Sequence, residues 1–329
     1  MNKSSVITLI ILLVLASLFP AGCKKTENPI KFPKGEFPDS TMNLADLNSA
    51  FDDINTSLYG DGFLIFSSNR NSSGGQFDLV QGIMTYIFDQ CTGDFGLGIE
   101  MSDNPFLAKL INAANTPGDD YGPYPLFSTV DGFEYFLLSS ANSGGNLDFY
   151  FLKHHPVFGD NLPDISGPFT VRLLNTSADD AYICVDTNQD TTYFSSNTQG
   201  NFEIFLKSRP SDTPFDEWFN GDYSPSVRID SINSSGDDKC PFVFRNVMVF
   251  ASNRPGGMGG FDLYYSVFRR RKWSSAVNFG PDINTSSDEY RPIVASHDDF
   301  TNNLMIYSSN RPEGKGGYDL YFRGVTFPK

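Results

Sequence analysis

The stretch IYSSNRPEGKGGYDLYF, Ile306 to Phe322, sets a glycine-rich turn between two runs of β-branched and aromatic residues. A phosphate-binding loop of similar appearance would open a helix and carry Gly-Lys-Ser/Thr, and this stretch does neither. It has four relatives: IFSSNRNSSGGQFDLV from Ile65, LLSSANSGGNLDFYF from Leu137, YFSSNTQGNFEIFL from Tyr193 and VFASNRPGGMGGFDLYY from Val249. Their asparagines, Asn69, Asn142, Asn197, Asn253 and Asn310, are spaced by 73, 55, 56 and 57 residues. The chain is therefore a five-fold array with one enlarged unit. Each copy reads as a hairpin: asparagine caps a turn with its side chain, and glycine supplies positive φ.

A second signature precedes each hairpin: LNSAFDD, NTPGDD, NTSADD, NSSGDD and NTSSDE, with an acidic pair beginning four residues after Asn48, Asn115, Asn175, Asn233 and Asn284. The literal repeat DINTS at Asp53 and Asp282 is a false alignment, because matching it would leave no room for a strand before Asn69. Aligned on Asn48, every unit holds strand A after the acids, strand B into Ser-Ser-Asn, strand C after the turn, and strand D near the next Asn-Thr-Ser. Four antiparallel strands at this period describe a propeller blade. The expected fold is all-β, a five-bladed β-propeller over 42–329, with six blades as the alternative. STMNLAD, ahead of the first unit, is a spare strand D that would complete the last blade and close the ring.

The N-terminal stretch has Lys3, an apolar run from Val6 to Phe19, and small residues before Cys23. It reads as a lipoprotein-type signal over 1–22, with Cys23 as the lipidation site and 23–41, rich in proline, lysine and glycine, as a flexible tether. Cleavage removes Lys3 and no acid, moving the net charge from −15 to −16. Such an acidic body is unsuited to nucleic acid. Cys91, Cys184 and Cys240 lack metal-ligand spacing, and the equal strand parity of Cys184 and Cys240 keeps their side chains apart.

SSNRPEGKGGYDLYF and ASNRPGGMGGFDLYY, each preceded by Asp/Glu-x-x-Pro, resemble TolB-like propeller repeats of Gram-negative envelope proteins, including the propeller part of OmpA-associated lipoproteins. The resemblance is strong in the fourth and fifth units and degenerate in the second and third. It implies partners in the envelope, either proteins or peptides.

Several residues carry candidate roles. Arg70, Arg254 and Arg311 each lie eight residues before Asp78, Asp262 and Asp319, which predicts ion pairs stapling the B–C turns. The second acids of the pairs, Asp53, Asp120, Asp180, Asp238 and Glu289, with Arg291, are candidate binding residues at an axial mouth. The competing reading has one acid per blade accepting local hydrogen bonds. Asp186, Asn188 and Asp190 alternate as oxygen ligands in a calcium loop would, without its glycine or distal glutamate; a plain solvated turn is the competing reading, and apart from this possible calcium no cofactor is expected. Trp218 and the basic knot Arg269, Arg270, Arg271 and Trp273 are candidate interface anchors, although a tryptophan in strand D would equally pack between blades. His154, His155 and His297 have no neighbouring nucleophile, and GxSxG is absent.

The expectation is a lipid-anchored module of the cell envelope, at the periplasmic or surface face of an outer membrane, that binds a protein or peptide. The alternative is a carbohydrate-active or other hydrolase with an axial carboxylate site, for which a glycan would be the partner.

Overall fold

A computed structural model describes residues 30–60, 62–141, 145–159 and 161–328. The signal 1–22, Cys23 and Asn142 lie outside the described residues.

The chain forms five antiparallel sheets arranged as a five-bladed propeller. Blade 1 contains β2 (Asp53–Tyr59), β3 (Phe63–Ser68), β4 (Asp78–Phe88) and β5 (Phe95–Met101). Blade 2 contains β6 (Asp120–Phe127), β7 (Glu134–Ser140), β8 (Asp148–His154) and β9 (Ser166–Thr170). Blade 3 contains β10 (Asp180–Val185), β11 (Thr191–Ser196), β12 (Glu203–Ser208) and β13 (Val227–Arg228). Blade 4 contains β14 (Asp238–Phe244), β15 (Val247–Ser252), β16 (Asp262–Arg269) and an interrupted outer strand, β17 (Lys272–Trp273) and β18 (Val277–Asn278). Blade 5 contains β19 (Glu289–Ala295), β20 (Asn303–Ser309) and β21 (Asp319–Val325), and its outer strand is β1 (Met42–Asn43). Met42 pairs with Phe322 and Asn43 with Tyr321, so the N-terminal strand closes the ring.

The tether reading ends too late. Phe37 is buried and stacks on Phe300 at 3.9 Å. Asn302 accepts from the Phe37 N–H and donates to its carbonyl, and Gly324 N–H bonds Pro38 O. An aromatic side chain thus anchors this part of the segment to blade 5.

The enlarged first unit is spent on a long β4–β5 hairpin and the helix α1 (Pro105–Ala114). Asn104 caps α1 by accepting from Leu107 N–H, and Leu107, Leu110, Ile111 and Ala114 pack with Phe136, Leu138 and Leu152 of blade 2. Apolar residues in this insertion therefore fill the space between blades 1 and 2.

Every innermost strand breaks its register at the same place, two residues after its acid. Asn55, Gly122, Tyr182, Cys240 and Arg291 all have left-handed φ, between 48° and 62°, inside a β-bulge against the next strand. A bulge kinks a strand and re-aims its side chains, here toward the propeller axis.

Candidate functional site

The acidic pairs are structural in all five blades. The second acids, Asp53, Asp120, Asp180, Asp238 and Glu289, are fully buried. One oxygen of each accepts the backbone N–H of the residue after the asparagine, from Ser49, Thr116, Thr176, Ser234 and Thr285, at 2.6–2.8 Å. The asparagine amides bridge to the preceding blade: Asn48, Asn115, Asn175, Asn233 and Asn284 each accept from a strand-C N–H, at Leu320, Leu79, Phe149, Ile204 and Leu263. They also donate back to the same residue's carbonyl. Asn48 thus fills the role of Asn284, and Asn55 does not. The first acids accept from the preceding blade as well, Asp52 from Tyr318, Asp119 from Phe77, Asp179 from Leu147, Asp237 from Phe202 and Asp288 from Phe261. The second acids therefore do not face a mouth. A carboxylate presented at the first residue of the inner strand is instead consumed by the peptide groups that join the blades.

Hairpin register corrects two assignments. Ala141, not Asn142, sits where the other units carry asparagine, since its N–H bonds Asp119 O as Asn69 N–H bonds Asp52 O. The arginines do not pair with the strand-C aspartates. Arg70 Nη2 lies 2.5 Å from Asp53 Oδ1, Arg254 Nη2 2.5 Å from Asp238 Oδ1, and Arg311 Nη2 3.1 Å from Glu289 Oε1. Pairing of Asp53 with Ser68 puts Arg70, two residues on, against strand A. Asp78, Asp262 and Asp319 cap the B–C turn: Asp262 accepts from Met258 and Gly259 N–H, Asp319 from Lys315 and Gly316 N–H, and Asp78 from Gln76. The glycines of the opening motif have a steric cause. A Cβ on Gly316 would overlap the Phe51 carbonyl of the next blade, and one on Gly259 the Ser287 carbonyl.

The axis is filled with side chains. Arg291 of blade 5 is fully buried, with its guanidinium 5.7 Å from the Tyr182 ring of blade 3 and Nη2 3.5 Å from Pro123 O of blade 2. Tyr290 OH donates to Tyr182 OH at 3.2 Å, and Tyr124 faces Phe242 at 6.4 Å between ring centres. These contacts join blades that are not ring neighbours, so they cross the axis. Cys184 and Cys240 are free and buried, and burial pushes each thiol up to about 12. Arg291 is part of this plug and not a residue of an open mouth. A pair of axial carboxylates suited to glycoside hydrolysis has no place there among the described residues.

The other predicted sites divide. Trp218 packs in α2 (Phe215–Phe219) against Phe215 and Phe219, and Trp273 against Tyr193 and Phe268; both are core residues and not surface anchors. Arg270 and Arg271 take left-handed φ at the two-residue turn after Arg269, the geometry of a tight hairpin. Asp186 Oδ1 accepts from the N–H groups of Asp190 and Thr191, and Asp190 Oδ1 from the Thr191 hydroxyl. These bonds close the turn, with Asn188 exposed beside them.

A cleft between blades 1 and 2, at the A–B turns, has different chemistry. It has a volume of about 280 Å³ and is lined by Tyr59, Pro125, Leu126, Phe127, Glu134 and Tyr135. Tyr59 OH donates to Glu134 Oε2 at 2.7 Å, and His154 Nε2 lies 3.5 Å from the same oxygen. Tyr135 OH donates to Asp131 Oδ2 at 2.6 Å. Burial, then the Glu134 carboxylate, raises the Tyr59 hydroxyl well above the ordinary tyrosine range, so it remains a donor. Phe127 is half exposed, and its backbone is pinned by Gln189 of blade 3, which donates from Nε2 to Phe127 O and accepts from Thr129 N–H. Nothing in the sequence signals Glu134, because DGFEYF belongs to no repeated motif, and His154 stands there without a neighbouring nucleophile.

No protein-family model matches the sequence. Nor does any curated protein. Among solved structures, the chain resembles a thermostable family-43 glycoside hydrolase (12% identity, TM-score 0.53, 87% of this chain and 92% of that one). It also resembles the catalytic domain of a GH62 α-L-arabinofuranosidase from Coprinopsis cinerea (11%, 0.52, 90% and 98%). A third is an endo-arabinase from Bacteroides thetaiotaomicron (10%, 0.51, 90% and 98%). At these identities the likeness is one of fold. It corrects the TolB-like assignment, because the neighbours are five-bladed glycoside hydrolases. With that assignment falls the expectation of an envelope protein- or peptide-binding module.

Proposed function

We propose that this propeller recognises a saccharide in the cleft between blades 1 and 2. The observation that carries the reading is the Glu134 carboxylate, held by the Tyr59 hydroxyl in a cleft walled by Phe127 and Tyr135. A few fixed polar groups among aromatic surfaces suit a ligand with one apolar face and a rim of hydroxyls. The fold neighbours named as arabinofuranosidase and endo-arabinase direct the choice of probe to arabinose-containing oligosaccharides. Hydrolysis by an axial carboxylate pair forms no part of the reading, since the axial acids are bonded within the ring.

Calorimetry with arabino- and galacto-oligosaccharides, run beside an assay for reducing-sugar release, tests it. Binding weakened at least tenfold by Phe127→Ala and by Glu134→Gln is expected. Absence of saturable binding across the panel, or binding indifferent to both substitutions, overturns the reading. The exported placement is a further part of the proposal. Fatty-acid labelling that disappears in Cys23→Ala supports lipid anchoring, and labelling that persists opposes it.

A further inference from the structure

The cleft between blades 1 and 2 holds a carboxylate that no described lysine or arginine neutralises. Glu134 lines the cleft and its side chain is 30% exposed. Its Oε2 accepts from the Tyr59 hydroxyl at 2.7 Å, whereas Oε1 accepts no hydrogen bond from any described residue. Among the described residues, no lysine or arginine nitrogen comes within 4.0 Å of either oxygen. His154 Nε2 lies 3.5 Å from Oε2, but a neutral ring brings no positive charge there. Its Nδ1 is 2.9 Å from His155 O, a pure acceptor, so Nδ1 holds the proton and Nε2 presents a lone pair.

The surroundings of that carboxylate suit a cationic donor. Phe127 stands directly opposite Glu134 in the β6–β7 register, so the two side chains rise from the same face of the sheet, about 5 Å apart at Cβ. Phe127 is half exposed and available to a ligand. Ammonium N–H groups bond a carboxylate roughly twice as strongly as neutral hydroxyls do, and an aromatic face adds cation–π attraction. A second carboxylate, Asp131, accepts from the Tyr135 hydroxyl of the same wall at 2.6 Å, and the chain as a whole carries a net charge of −15. Such a field repels an anionic ligand.

We propose that the cleft selects saccharides by charge, taking an amino sugar with a free ammonium ahead of a neutral sugar and turning away a uronic acid. The ammonium donates to Glu134 Oε1, and the apolar face of the sugar ring lies on Phe127. The inference rests on the saccharide reading of this cleft and names the substituent which that reading leaves open. A neutral sugar still finds the aromatic wall and a hydroxyl-to-carboxylate bond, so it binds more weakly; a uronic acid sets its own carboxylate against Glu134 and Asp131.

The test is calorimetric titration of the whole protein at pH 6 with deacetylated chitobiose, with cellobiose, which replaces each ammonium by a hydroxyl, with digalacturonate, and with ethanolamine. The expected result is saturable binding of deacetylated chitobiose about tenfold tighter than cellobiose, and none of digalacturonate. Glu134→Gln keeps an acceptor for Tyr59 and should remain folded while bringing the two neutral and amino disaccharides within about twofold of each other. Glu313→Gln, which removes an exposed acid in the β20–β21 turn of blade 5, should leave the preference unchanged. Equal binding of the two disaccharides, with arabino-oligosaccharides still bound, overturns the charge selection and leaves the saccharide reading standing, whereas no binding by any saccharide overturns both. The inference also falls if ethanolamine binds as tightly as the disaccharide, if the preference survives Glu134→Gln, or if Glu313→Gln abolishes it, which makes overall charge the cause.

Discussion

The backbone N–H of Tyr318 in blade 5 donates to Asp52 Oδ1 in blade 1 at 2.8 Å, and the Tyr318 carbonyl accepts from Asp53 N–H at 2.8 Å. This is one of five equivalent locks, but it joins the two ends of the chain and so seals the ring. Asp52→Ala leaves a buried-side N–H unpaired, which costs about 1–3 kcal/mol. Asp52→Asn keeps an acceptor oxygen and should cost less. Chemical denaturation of the two variants checks the order. Equal losses would mean that the carboxylate's charge matters more than its acceptor role.

The corrected arginine pairing makes a sharper prediction. Asp238 is fully buried beside Arg254, so Arg254→Ala strands a charge and should cost about 3–5 kcal/mol. A double-mutant cycle between Arg254 and Asp238 should show strong coupling. The same cycle between Arg254 and Asp262 should show little, because Asp262 caps the turn through Met258 and Gly259. The reverse outcome restores the pairing across the hairpin.

These two cases show where sequence was legible. Five repeats, four strands each and the N-terminal closing strand followed from spacing and turn chemistry. The hairpin motif also carried its own explanation, since Gly316 and Gly259 face a neighbouring backbone. The partners of Arg70, Arg254 and Arg311 were hidden because sequence separation favoured the near strand C, while register brought in strand A. The bulge was hidden for another reason: four of its five residues, Asn55, Tyr182, Cys240 and Arg291, adopt left-handed φ without being glycine. Tertiary packing overrides local preference there. The cleft at Glu134 was illegible because its members come from β2, the end of β6, the start of β7 and the end of β8, with no shared motif.

Blades 2 and 3 lack the arginine, and burial raises Asp120 and Asp180 to about 6 in each case. Carboxyls whose folded pKa exceeds the unfolded value bind more protons in the native state, so stability falls as pH rises between about 4 and about 6. Each contributes on the order of 3 kcal/mol to that fall. Asp180→Asn should flatten part of the slope and raise stability at pH 8 while changing little at pH 4. Denaturant midpoints across this range give the measurement, and a wild-type stability that climbs through the window contradicts it.

Arg291 offers the test of the axial plug. It is fully buried, and Nε and Nη1 have no hydrogen-bond partner among the described residues. Its Nη2 reaches Pro123 O only at 3.5 Å. A buried donor left unpaired costs about 1–3 kcal/mol, and methionine fills similar volume without that cost. Arg291→Met should therefore raise the melting temperature, whereas Arg291→Ala should lower it by opening a void among Tyr182, Tyr290 and Tyr124. The pair of variants separates volume from charge. If Arg291→Met is instead destabilising while Arg291→Ala behaves as expected, the guanidinium has a partner in the axis, such as an anion or ordered water, that compensates its burial.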